Sequence, residues 1–245
     1  MGKPLTPRQS VPTHSDKSQE VDAFLQSMAK TPAVGSAATR GRLIFALDAT
    51  ASREPTWDIA CDIQAEMFTE TDMLGGLDVQ LVFFRGIGEC RTTKWLSSSA
   101  DLVNRMVKVR CLGGRTQIGK VLKHAIREAR KGGVGALVLI GDAFEEAIDP
   151  VCDLAGQLGL LGTKAFLFQE GDHPEATRAF RQIARLTGGA CCRFDAGSAQ
   201  QLRDLLSAVA VFAAGGHRAL EDFSARRGGE VRQITRQISI DRDAE

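Results

Sequence analysis

The sequence of 245 residues contains no tyrosine, and its aromatic share is only 6%. Proteins that hold single-stranded nucleic acid stack bases on aromatic rings, so that class is disfavoured. Neither sign of charge dominates: 31 basic and 30 acidic residues leave a formal net charge of +1. Such a balance gives no global field for polyanions or acidic membranes. The six cysteines are scattered apart from adjacent Cys191 and Cys192. Without a Cys-x-x-C pair, a structural zinc site is not expected. No apolar run reaches the length of a membrane-spanning helix. The stretch MGKPLTPRQSVPTHSDKSQE also lacks the apolar core of a secretory leader. The expectation is a cytoplasmic chain with free thiols and no membrane span.

What is present is alternation. After a polar, proline-bearing start, residues 18–30 show helical spacing at Val21, Phe24, Leu25 and Met28. Residues 1–40 are therefore expected to be a flexible extension carrying a short helix. From residue 41, RLIFALDAT, LDVQLVFFRG, ECRTTKWL, ALVLIGD, TKAFLFQ and ACCRF read as strands. The second and third suggest a hairpin at a sheet edge. Helices are expected near 55–69, 99–109, 117–131, 146–160, 174–187 and 198–213. Strands alternating with helices predict an α/β domain over residues 41–214, with a doubly wound, mainly parallel sheet of about six strands covered on both faces. Residues 215–245 mix charge with isolated Val231, Ile234, Ile238 and Ile240, compatible with an unstructured tail or an added strand.

The segment GGRTQIGKVL nearly spells a phosphate-binding loop. Gly114, Gly119 and Lys120 fit, but Val121 stands where a magnesium-binding hydroxyl belongs. Such a loop must join a strand to a helix, whereas the preceding LVNRMVKVRC reads as helical. Val121 also falls on the apolar face of the helix at 117–131. It reads as core.

A different chemistry starts in DATAS, residues 48–52. Asp48, Thr50 and Ser52 alternate just beyond a strand, so their oxygens can project to one side. Thr116 opens the helix at 117–131, and Asp142 ends the strand ALVLIGD. Carboxylates and hydroxyls are hard donors, suited to Mg²⁺, Mn²⁺ or Ca²⁺. At these residues the chain resembles the von Willebrand factor type A family over about residues 41–213. Asp48, Thr50 and Ser52 match the D-x-S-x-S motif of its metal-ion-dependent adhesion site, with Thr replacing one Ser. Thr116 matches the threonine of the family's glycine-rich loop, and Asp142 its later aspartate. LTGGACCRFD is similar to the family's last strand and its approach. Arg115 replaces a small residue, and Ala143 replaces a frequent glycine. The resemblance implies a Rossmann-like sheet with the first and fourth strands adjacent at its centre, and the site at its carboxyl end.

Ordinary roles compete with that reading. Thr50, Ser52 and Thr116 suit helix caps, and Asp48 and Asp142 can simply end strands. Glu145 and Glu146 suit the first turn of the following helix. His124 reads as a surface or boundary residue, His173 as structural at a helix start, and Cys191 and Cys192 as core thiols on opposite strand faces. Neither histidine shows a triad-like arrangement. The resemblance implies a protein-interaction module in which a divalent cation receives a partner's Glu or Asp; the charge of Arg115 would either repel that cation or, at the rim, attract an acidic partner. Intracellular members of the family often work with AAA+ ATPases or assembly machinery, so by analogy the resemblance implies a partner of that kind. The competing expectations are a metal-assisted hydrolase or phosphotransferase in the same crevice, and a scaffold that binds no metal.

Overall fold

The computed structural model describes residues 40–194 and 199–227. Side chains of β1 (Gly41–Asp48) alternate between two buried clusters: Leu43, Phe45 and Leu47 enter one, Ile44 and Ala46 the other. A strand apolar on both sides must be covered on both sides. It lies inside a sheet completed by β2 (Leu77–Arg85), β3 (Glu89–Thr92), β4 (Ala136–Gly141), β5 (Lys164–Glu170) and β6 (Ala190–Phe194). The spatial order is β3-β2-β1-β4-β5-β6. Every neighbouring pair is parallel except the β2–β3 hairpin at the edge. The expected architecture is thus the observed one, with β1 and β4 adjacent at the centre.

On one face lie α1 (Glu54–Ile63), α2 (Ala65–Thr71), α3 (Ser99–Met106) and α7 (Ala199–Arg227). On the other lie α4 (Ile118–Gly132), α5 (Ile148–Leu160) and α6 (Pro174–Thr187). The chain changes face where β1 and β4 part, which opens a crevice at their carboxyl ends.

Three elements differ from expectation. The single helix expected at 55–69 is α1 and α2 in succession, and Trp57, Ala60, Ile63 and Met67 are all buried. The strand expected at 89–96 narrows to β3, with Leu96 bridging back to Val79. Residues 215–227 are not tail: α7 continues to Arg227 across a kink at Gly216 (φ 70°, ψ −160°). Beyond the kink Ala219, Leu220 and Phe223 resume helical apolar spacing and are buried. The paired glycines hide that continuity from a reading of periodicity. The expectations for residues 1–39 and for Val231 to Ile240 lie outside the described residues. Among the described residues no helix is long and apolar enough to cross a membrane.

Candidate functional site

Asp48 ends β1 and is 3% exposed. Its neighbour in the sheet is β4, whose last residue Gly141 lies against it: a Cβ added there would be 3.7 Å from that of Asp48. The next residue, Asp142, therefore enters the same crevice. After Asp48 the chain turns at extended Thr50 (φ −72°, ψ 162°) into a 3-10 turn, Ala51–Arg53. The Thr50 N–H donates to Asp48 Oδ1 at 2.8 Å. The Thr50 and Ser52 hydroxyls lie 3.3 Å apart, and Ser52 donates to Asp142 Oδ2 at 2.8 Å. Four of the five expected residues are thus joined by contacts within one crevice.

Capping does not account for them. Thr50 occupies the N-cap position of the 3-10 turn, yet its side chain makes no capping bond. Ser52 turns to Asp142 instead. Thr116 likewise does not cap α4, whose N-cap residue is Gln117. Its hydroxyl accepts the Glu145 N–H at 2.9 Å, and its own N–H donates to Glu145 Oε2 at 3.0 Å. That reciprocal pair ties Thr116 to the loop that carries Asp142. Among the described residues, Thr116 has no hydrogen bond to the other four. Glu145 was legible as an acidic residue in sequence, but nothing there linked it to Thr116, 29 residues earlier.

The expectation that Glu145 and Glu146 sit in the first turn of the following helix is corrected. Helix α5 starts only at Ile148, and the two carboxylates serve α4. The Glu146 carboxylate accepts the N–H groups of Ile118 and Gly119, the latter at 2.9 Å. An anion at a helix N-terminus satisfies orphan donors and complements the dipole. The start of α4 therefore already holds its anion, and no strand directly precedes it. A Cβ at Gly119 would come within 3.0 Å of Glu146 Oε2, so this glycine admits a carboxylate rather than a phosphate. Val121 is fully buried, as expected. We expect Glu146→Ala to lower unfolding stability by about 1–3 kcal/mol, since charge-assisted bonds at an N-terminus are lost. Urea denaturation of the two proteins measures it.

Beneath the cluster lies Arg53, 2% exposed. Its guanidinium pairs with Glu170 at the end of β5, and the Thr56 hydroxyl donates to the same carboxylate. Sequence reading missed both partners. The Arg53 Nε has no hydrogen-bond partner.

Burial dominates the electrostatics of Asp48. It raises the pKa from 3.8 to about 6, with the nearby Asp142 charge adding to the rise, while the Thr50 hydrogen bonds and Arg53 oppose it. The Oδ2 atom of Asp48 is buried without any hydrogen-bond partner. Such an atom is expensive unless something positive completes it. Among the described residues no three His, Cys, Asp or Glu side chains gather as metal ligands. The Thr50 and Ser52 hydroxyls are further oxygens that could join the Asp48 and Asp142 carboxylates on a cation.

The remaining expectations divide. His173 is structural: its ring accepts the Ala176 N–H at the start of α6. His124 is not at the surface but 6% exposed, with Nε2 2.7 Å from Gln80 Oε1. Burial holds its pKa below the ordinary value. The indole of Trp95, beyond β3, donates to Glu128 one helical turn on, so the hairpin covers a flank of α4 that periodicity leaves at the boundary. Cys192 is buried in one apolar cluster and Cys191 packs half-buried against the other. Arg115 is exposed beside Thr116.

No protein-family model and no curated protein matches the sequence. Solved structures do match. A von Willebrand factor type A protein from Catenulispora acidiphila aligns with a TM-score of 0.57 at 18% identity, over 69% of this chain and 42% of that one. The VWA domain of SpRpn10 aligns at 0.52 and 11% identity, over 73% and 98% of the two chains. Proximal thread matrix protein 1 from the mussel byssus, with a zinc-occupied adhesion-site motif, aligns at 0.55 and 19% identity, over 70% and 48%. This chain thus spans less than half the length of the first and the last of these. At such identities the likeness establishes architecture. The chain has the von Willebrand factor type A fold.

Proposed function

We propose that this protein is an interaction module whose Asp48, Thr50, Ser52, Thr116 and Asp142 hold a divalent cation that captures an acidic side chain of a protein partner. The observation that carries the reading is the buried, unpartnered Oδ2 of Asp48 beside the linked Thr50, Ser52 and Asp142 oxygens. A bound Mg²⁺, Mn²⁺ or Ca²⁺ would supply an oxygen-seeking charge able to take one more carboxylate from outside. The protein's own groups do the rest. Asp48, fixed by the Thr50 N–H, is the buried anchor. Ser52 orients Asp142, and Glu145 holds Thr116 toward the same loop. The zinc-occupied motif of the mussel protein supports a divalent ion on this fold.

His124 is engaged with Gln80 and His173 with the start of α6, so neither is placed as a general base. By analogy with the family it resembles in sequence, we place the protein in an intracellular setting with assembly machinery, an AAA+ ATPase being one class of partner.

Calorimetric titration with Mg²⁺, Mn²⁺, Ca²⁺ and Zn²⁺ tests the cation site. Saturable binding to the wild type, lost in a folded Asp48→Ala variant, is the expected result. A wild type silent to all four ions would sink the proposal.

A further inference from the structure

The segment that resembles a phosphate loop clamps the turn between β2 and β3. Gly114 lies so close to Gly86 that an added Cβ would be 2.3 Å from its backbone. The Arg115 N–H donates to the Gly86 carbonyl at 3.1 Å. Gln117 Nε2 donates to the carbonyls of Arg85 and Glu89 at 3.2 Å each, and Lys120 Nζ donates to that of Gly88 at 2.7 Å. Gly86 and Gly88 have φ of 59° and 96°, conformations strained for other residues. Between these fixed points Ile87 is 95% exposed. Ile87 is thus a large aliphatic side chain held in water on a turn whose backbone is fixed at both ends.

Its position relates it to the oxygen cluster. Phe84 is the β2 partner of Asp48, and its carbonyl accepts the Ala49 N–H at 2.9 Å. Ile87 follows Phe84 after about 10 Å of chain at most. Leu112, 48% exposed, donates its N–H to Ala49 at 3.0 Å. Arg115, which holds the turn, directly precedes Thr116. Ile87, Leu112 and Arg115, all exposed, therefore stand on backbone segments tied to those that form the crevice.

We propose that this clamped turn is the specificity element of the site. Ile87 and Leu112 receive a large apolar side chain next to the captured Asp or Glu in an extended partner segment, and Arg115 favours a segment of negative net charge. The inference rests on the cation-site reading. Adhesion through the cation alone would accept any exposed carboxylate. The aliphatic pair supplies the second contact by which an acidic-apolar sequence is distinguished.

The test is selection from a display library of random short peptides by the full chain, in Mg²⁺ or Mn²⁺ and again in EDTA. Expected are EDTA-sensitive peptides with Asp or Glu next to a large apolar residue. Ile87→Ser should weaken their binding on the order of tenfold, as for a truncated interface anchor, while Ile87→Leu retains it and Asp48→Ala abolishes it. Acidic peptides without an apolar preference, or equal binding by Ile87→Ser, overturn this inference and leave the cation site standing. If EDTA releases no peptide at all, both readings fall.

Discussion

Asp48→Asn is expected to raise the stability of the cation-free protein at pH 7 and to remove its response to divalent ions. The reason is the position of Asp48, 3% exposed, with Oδ2 unpartnered. Burial lifts its pKa in the folded state to about 6 from an ordinary 3.8. Between those values the folded protein keeps a proton that the unfolded chain has released. Stability then falls as pH rises through that window, and the full penalty is present at pH 7. A difference of about two in pKa corresponds to about 3 kcal/mol. Asparagine keeps the shape, can still accept the Thr50 N–H and carries no charge. A gain of about 1–3 kcal/mol at pH 7, shrinking towards zero near pH 4, is therefore expected from denaturant melts in EDTA. Ion at a hundredfold excess over its dissociation constant should stabilise the wild type by about 2.7 kcal/mol and leave Asp48→Asn unchanged. An Asp48→Asn protein no more stable than wild type in EDTA would show that the carboxylate is not under tension. Tension of this kind is what a site awaiting a cation stores.

Glu170→Ala is expected to destabilise the protein by about 3–5 kcal/mol, because a buried charge loses its counter-ion. Arg53 is 2% exposed and its Nε already lacks a partner. Without the Glu170 carboxylate, the guanidinium must either stay buried unpaired or pull the Ala51–Arg53 turn outward. The second course displaces Ser52, so cation binding should weaken together with stability. Glu170→Gln can still accept the Thr56 hydroxyl bond and should fall between. Replacing both partners, Arg53→Met with Glu170→Leu, should recover most of the loss, since apolar packing commonly matches a buried pair. Thermal melts distinguish the outcomes: for a domain of this size about 3–5 kcal/mol is a fall of roughly 6–20 °C. A Glu170→Ala protein that melts with the wild type would mean that water reaches Arg53 freely.

The sequence by itself determined the layered sheet and singled out four residues that the fold links within one crevice. Ile44 and Ala46 against Leu43, Phe45 and Leu47 mark a strand with two covered faces. Val121, Leu122 and Ala125 mark the inner side of α4. These patterns are local, because each residue's burial follows from the geometry of its own element. Asp48, Thr50 and Ser52 stand within five residues, so their convergence needed only one turn of backbone.

Only the tertiary structure decided which distant groups answer them. Glu145 and Glu146 look like residues for their own helix, yet they hold Thr116 and the start of α4. Glu170 meets Thr56 across 114 positions, and His124 is buried only because β2 and the hairpin cover its flank. Periodicity states that a side chain is inside, but not what it meets. Partnership between charged groups is set by how the crossovers bring strand ends together, and that distance is not written in any short stretch of chain.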